Sequence, residues 1–220
     1  MCSRRKADEL IAAGKVLVNG RVAKLGMLTD ENDDVRLAGR AVVASKPKTV
    51  YYAFHKPVGI ITSVDPKARD SLLTFLKLPE RVFAIGRLDV ASSGLLLLTN
   101  DGRLSERITH PRYDHEKEYL VSVAKTISDS ALNRMANGMM VLGSMTKPAK
   151  VERVNDRTFR ITLTEGRNRQ IRRMCEGLRH EVTSLQRVRV MNIRLGDLPV
   201  GAVRKLTDEE VAKLLKSVDA

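Results

Sequence analysis

A chain of 220 residues, 43 % hydrophobic and 30 % charged, holds one large domain, or an ordinary domain and a small one, around a buried core. Its 39 Lys and Arg outnumber its 26 Asp and Glu for a net charge of +13, which points to nucleic acid as partner ahead of an anionic membrane surface. No apolar run approaches the roughly 18–20 residues of a spanning helix, and "MCSRRKADEL" lacks the apolar core of a secretory leader, so a cytoplasmic protein without membrane attachment is expected.

Residues 1–45 read as a small unit. Ser3 is placed to cap a first helix that Gly14 ends. "KVLVNGRVA" predicts a hairpin, because Asn19 and Gly20 both tolerate the positive φ of a two-residue turn. "DDVRLAGRAV" predicts a second strand pair bent at Gly39, and "ASKPKT" (44–49) is the linker. The rest, 46–220, forms the larger unit. "TVYYAFHKPVGIITSV" reads as strand, turn at Pro57 and Gly59, and strand. "RDSLLTFLKL" reads as a short helix capped by Asp70 or Ser71 and ended by Pro79. Ser92, Ser93 and Gly94 form a turn before the buried strand Leu95 to Leu98. "HEKEYLVSVAK" and "TFRITLTEG" are strands, "SDSALNRMANG" is a helix ending at Gly138, and Thr207 with Glu210 make a capping box for the last helix.

Two places carry candidate chemistry. In "EGRNRQIRRMCEGLRH" (165–180), Asn168 is placed to cap a helix whose Ile171, Met174, Cys175 and Leu178 form one apolar stripe. Arg169, Arg172 and Arg173 fall on another face, and Arg187 and Arg189 on the next strand extend the same basic surface. Arginine forks suit phosphates, although a merely solvated face is the simpler reading. The second place is "GRLDVASSGLLLLTNDG" (86–102). Asp89 is either a turn residue, or a carboxylate at the rim of a buried strand, held ionised by a cation as nucleophile or base. Cys2 and Cys175 read as reduced thiols, and the histidines form no metal-ligand spacing, so no metal is expected.

"KPVGIITS", "GRLDVASSGLLLLTNDG", "EKEYLV" and "EGRNRQIRRM" together resemble the RsuA/RluB/E/F family of RNA pseudouridine synthases, in that order and along essentially the whole chain. "DHEKEYLVSV", "LGSMTKPAKV", "RVRVMNIRL" and "LPVGAVRKLTDEE" are similar to a branch of that family acting on 23S ribosomal RNA. The resemblance implies an α+β fold. A small S4-like RNA-binding domain, with its first helix absent, would precede a catalytic domain built on a mixed, mostly antiparallel sheet whose central leucine strand floors the cleft. It implies a cofactor-free isomerisation in which uracil is cut from ribose at N1, turned and rejoined through C5. By resemblance Asp89 is the nucleophile, Tyr119 stacks on the base, Arg172 pairs with Asp89, Arg87 replaces the flipped nucleotide and Leu163 packs beneath the base. The expected RNA-binding residues are Arg4, Arg5, Lys6, Lys56, Arg167, Arg169, Arg173, Arg187 and Arg189. His55 stands where many relatives have Asn, a change compatible with the same polar contact. The expected partner is RNA, 23S ribosomal RNA or a tRNA anticodon arm, bound by a monomer. The alternative is a non-catalytic S4-type protein of ribosome assembly.

Overall fold

The computed structural model describes residues 4–30, 32–42, 48–63 and 69–219. The chain divides between Lys48 and Thr49 into two units. Ser3, Cys2 and residues 44–47 of the expected linker lie outside the described residues.

In the first unit, helix α1 (Arg4–Ala12) ends as the sequence predicts. Gly14 takes φ +66°, its N–H reaches Ile11 O, and the Lys15 N–H reaches Leu10 O, closing the last turn on carbonyls that would otherwise be bare. Strands β1 (Val16–Val18) and β2 (Arg21–Val22) are joined by Asn19 and Gly20, both at positive φ. Strands β3 (Val35–Leu37) and β4 (Arg40–Ala41) turn at Ala38 and Gly39 in the same way. The four strands form one sheet in the order β2-β1-β3-β4.

The second unit begins with β5 (Tyr51–Lys56), α2 (Leu72–Phe75), β6 (Phe83–Ile85), β7 (Ser93–Thr99) and α3 (Gly102–Thr109). β8 (Lys117–Val123), α4 (Asp129–Asn137), the hairpin β9 (Met140–Val141) and β10 (Ser144–Met145), and β11 (Lys150–Asn155) follow. The chain closes with β12 (Thr158–Leu163), α5 (Gln170–Gly177), β13 (Val182–Val190), β14 (Ile193–Arg194), β15 (Val203–Lys205) and α6 (Asp208–Asp219). One large sheet runs β11-β12-β8-β13-β7-β5-β15, with β14 on β13 and β6 on β7. Every pairing in it is antiparallel except β13 with β7, so the sheet is mixed and the fold α+β. Thr207 and Glu210 exchange the two bonds of a capping box, Thr207 N–H to Glu210 Oε2 at 2.9 Å and Glu210 N–H to Thr207 Oγ1 at 3.2 Å. Among the described residues no helix is long and apolar enough to cross a membrane.

Leu95 to Leu98 are uninterrupted because both faces of β7 are covered. Leu95 and Leu97 join one core with α3 and α6, while Leu96 and Leu98 join another with Phe54 and Leu72. Each is at most 2 % exposed, which is worth about 1.5–3 kcal/mol per side chain. A third core lies between α4, α5 and strands β8 and β12, and it takes up the Ile171, Met174, Cys175 and Leu178 stripe.

Four local expectations are corrected. The turn before β7 is Asp89 to Ser92, closed by Ser92 N–H on Asp89 O at 3.0 Å, and Ser93 and Gly94 already belong to the strand. Among the described residues the stretch after Gly59 forms no second strand, only a bridge from Ile61 to Ser71: Gly59 N and Thr62 Oγ1 bond the Asp89 loop, while Ile61 N bonds Asp70 O. Helix α2 is one turn and ends before Pro79, and the Ser71 hydroxyl makes no cap bond. Asn168 does not cap α5. Arg169 holds that position at φ 51°, and Asn168 Oδ1 accepts from Arg173 instead.

At Gly94, φ is +108° and a Cβ would stand 2.3 Å from Arg187 O, because β7 and β13 pair in parallel with Gly94 opposite Arg187. Gly94→Ala therefore combines a disfavoured backbone with a main-chain clash. A loss of at least about 3 kcal/mol in unfolding free energy by urea denaturation is expected, and a loss below about 1 kcal/mol would show that the strands part freely here.

Candidate active site

The seven residues Gly86 to Ser92 connect the antiparallel strands β6 and β7 and carry Asp89 at their centre. Six consecutive carbonyl oxygens in this loop each accept a hydrogen bond. Arg187 Nη1 donates to Arg87 O (3.4 Å), Thr62 Oγ1 to Leu88 O (2.7 Å), and Ser92 N to Asp89 O (3.0 Å). Gly59 N donates to Val90 O (2.9 Å), Arg172 Nη2 to Ala91 O (2.7 Å), and Lys56 Nζ to Ser92 O (2.9 Å). The Asp89 carboxylate itself has no hydrogen-bond partner and no ion pair within 4.0 Å among the described residues. It is half-buried and opens on a pocket of about 480 Å³.

Arg87, Asp89, Tyr119 and Leu163, which the sequence picks out, all line this pocket. Tyr119 and Lys117 are two residues apart on β8 and so face the same side of the sheet. Leu163 pairs with Lys117 from β12, and Arg187 pairs with Tyr119 from β13. Leu163 is buried in the α5 core, and Tyr119 is half-buried between two cores. The leucines of β7 do not form the floor. Leu163, Ile171, Leu185 and Val190 line it, and β7 serves to hold the end of the Asp89 loop.

Several arginines stand elsewhere than expected. Arg172 makes no ion pair with Asp89, because its Nη2 is committed to Ala91 O and its Nη1 to Val182 O at 3.3 Å. The two groups still feel one another. Burial pulls the Arg172 guanidinium down, Arg169 adds to this, and Asp89 opposes it. Arg187 and Arg189 do not share a surface, since a bulge between them breaks the alternation of β13. Arg187 pairs opposite Tyr119, is 3 % exposed, and donates from Nε to Leu95 O at 2.7 Å. Arg189 pairs opposite Glu118 on the far face, where Glu116 and Glu118 neutralise it at 2.8 Å each. Lys56 is fully buried and cannot meet RNA, its ammonium donating to Pro57 O and Ser92 O.

Arg167 bonds Glu165 and the backbone of the β9–β10 hairpin, and Arg173 bonds Asn168. Arg169 is exposed at the pocket rim, and Arg5 and Lys6 are exposed on α1, where Lys6 pairs with Glu9 at 2.8 Å. Arg4 opens α1. His55 is buried, with Nδ1 on Leu198 O at 2.7 Å and Nε2 near Gln186 Nε2 at 3.2 Å. The sequence reading missed Thr62 and Lys117. For Lys117 the signal is present, two residues before Tyr119 on an alternating strand.

Burial lowers both lysines to about 8, with Arg187 adding to the effect on Lys117 and Asp89 opposing it on Lys56. Between about pH 8 and the ordinary 10.5, the unfolded chain keeps protons that the folded chain sheds at these positions. Their contribution to the unfolding free energy therefore rises with pH across that window. Urea denaturation at about pH 7.5 and about pH 9.5 is expected to give a smaller rise for Lys117→Met than for the parent. Equal rises would place Lys117 at its ordinary value. Thr62→Val removes the hydroxyl that donates to Leu88 O and accepts from Leu88 N at 3.2 Å. A loss of about 1–2 kcal/mol and faster amide exchange across the Asp89 loop are expected, and unchanged exchange would show that the other donors suffice.

Residues 50–177 match the RNA pseudouridylate synthase family, and residues 1–35 match the S4 domain. Over 220 residues the chain is 44 % identical to the dual-specificity RNA pseudouridine synthase RluF of Salmonella typhi and 43 % identical to that of Escherichia coli strain K12, covering 100 % of this chain and 76 % of either relative. It is 38 % identical over 228 residues to ribosomal large subunit pseudouridine synthase B of Bacillus subtilis strain 168, covering 100 % of this chain and 93 % of that one. A crystal structure of a pseudouridylate synthase superposes with a TM-score of 0.73 at 32 % identity, over 96 % of this chain and 94 % of that one. The sequence resemblance, the mixed sheet and the carboxylate-bearing pocket converge with these matches: the chain belongs to the RNA pseudouridylate synthase family, whose members are isomerases.

Proposed function

We propose that this enzyme isomerises a specific uridine of 23S ribosomal RNA, with Asp89 as the nucleophile. The observation that carries the reading is the Asp89 carboxylate, unpartnered among the described residues at the mouth of a pocket also lined by Tyr119, Leu163 and Arg87. A uridine in a stem reaches that carboxylate only by leaving its stack, at a cost of a few kcal/mol. Stacking on Tyr119 returns on the order of 1–3 kcal/mol, Leu163 packs beneath the ring, and exposed Arg87 fills the place the base has left. Arg169, with Arg5 and Lys6 of the S4 unit, contributes salt-dependent phosphate contacts. Arg172 acts as a positioning residue, through the Ala91 carbonyl rather than through an ion pair. The relatives named dual-specificity favour a second RNA, for which a tRNA anticodon arm is the candidate. The proposed setting is the cytoplasm, where both RNAs are made, and the proposed state a monomer.

Asp89→Asn is nearly isosteric and removes the nucleophile's charge. Incubated with a 23S RNA transcript, the wild-type chain is expected to form pseudouridine at one position and Asp89→Asn none, while both bind the transcript equally. Product from Asp89→Asn would overturn the role of Asp89. Wild-type protein that forms product only on tRNA would overturn the choice of RNA.

A further inference from the structure

Arg187 and Lys117 are buried or half-buried cations lining one pocket, and neither has a carboxylate partner among the described residues. Lys117 Nζ donates to His115 O at 3.1 Å, and Arg187 donates to Leu95 O and Arg87 O. Arg187 Nη2 is buried with no hydrogen-bond partner among the described residues. Like charges brought together away from water repel, and a buried N–H without an acceptor costs about 1–3 kcal/mol. Such an arrangement is costly in the free enzyme and is complementary to an anion inside the pocket.

The reaction supplies one. When an Asp89 oxygen bonds C1′ and the C1′–N1 bond breaks, the bonding pair stays on the base and spreads over N1, O2 and O4. The carboxylate's negative charge passes to uracil, and Asp89 becomes a neutral ester. If Asp89 instead takes a proton from C2′, the same pair leaves with the same base. Either way, the negative charge moves from the loop to the face of Tyr119, which Arg187 and Lys117 flank on β13 and β8. Rejoining through C5 returns the pair to Asp89. C5 then sheds its proton and N1 gains one, restoring neutrality.

We propose that Arg187 and Lys117 hold the detached uracil as an anion, with Lys117 donating to a carbonyl oxygen of the base and Arg187 supplying a fixed positive charge behind it. This rests on the pseudouridine synthase reading and names the groups that stabilise its intermediate. Preorganised donors at a developing oxyanion are worth about 10²–10³ in rate.

The test uses the full chain, single-turnover conditions and two 23S RNA transcripts, one carrying uridine and one 5-fluorouridine. Fluorine makes the uracil anion more stable, so its departure relies less on the cations. Consumption of the original nucleoside is followed by digestion and chromatography. Lys117→Met is expected to slow the uridine reaction about 10²-fold with RNA affinity unchanged, and to slow the fluorouridine reaction less than about tenfold. Lys117→Arg, which keeps the charge, is expected to recover most of the rate. Because Arg187 also braces the fold, Arg187→Lys is used only if its melting is cooperative, and the Lys117 pair decides. Equal deficits on the two RNAs, a deficit confined to affinity, or an unimpaired Lys117→Met would each overturn the proposal. An inactive wild-type chain would overturn the parent reading, a result distinct from an active wild type with an unimpaired variant.

Discussion

The structure depends on how the backbone carbonyls of residues 87 to 92 are held. Six in succession accept hydrogen bonds, and three of the donors are the cationic side chains Arg187, Arg172 and Lys56, brought from β13, α5 and β5. A carbonyl dipole orients a cation without neutralising it, whereas a carboxylate partner would do both. The loop is therefore fixed by charges whose field still reaches the Asp89 side chain. That explains why Arg172 serves Ala91 O and yet still senses Asp89. It also leaves the Asp89 carboxylate as an acceptor in the loop without a partner among the described residues, so fixing the loop and leaving its carboxylate unoccupied are one arrangement.

The sheet makes this arrangement possible through its single parallel pairing. β13 meets β7 side by side at Gly94 and Arg187, closer than any side chain at 94 would permit. That proximity delivers the Arg187 guanidinium to Leu95 O and Arg87 O. The bulge between Arg187 and Arg189 turns Arg189 to the opposite face, into an ion-pair group with Glu116, Glu118 and Arg160. The two faces of the same strands thus differ in charge, balanced on one side, and on the other carrying Lys117 and Arg187 without carboxylate partners among the described residues.

Local chemistry was legible in the sequence wherever one or two residues decide it. Asn19-Gly20, Gly14, the Thr207–Glu210 box, the leucine strand and the apolar stripe of α5 all stand where their residue types dictate. Asp89 and Tyr119 were legible through resemblance, and the pocket brings them together. What escaped the sequence was set by long-range geometry. A bulge is invisible to a period-two reading, so Arg187 and Arg189 looked alike. Lys56 looked like a surface cation because nothing local announces that its strand is buried on both faces. The Arg172 ion pair failed because a carbonyl of the same loop lies in reach, a competitor that only the folded turn creates.

The division of Leu95 to Leu98 between two cores bears on how this domain moves. A strand whose alternate residues belong to separate apolar clusters cannot open toward one without tearing the other, which joins the clusters into one cooperative unit. The Asp89 loop is anchored at that seam, beside a region that resists local opening. The Asp89 loop is thus carried on a part of the domain that opens only if both clusters open with it.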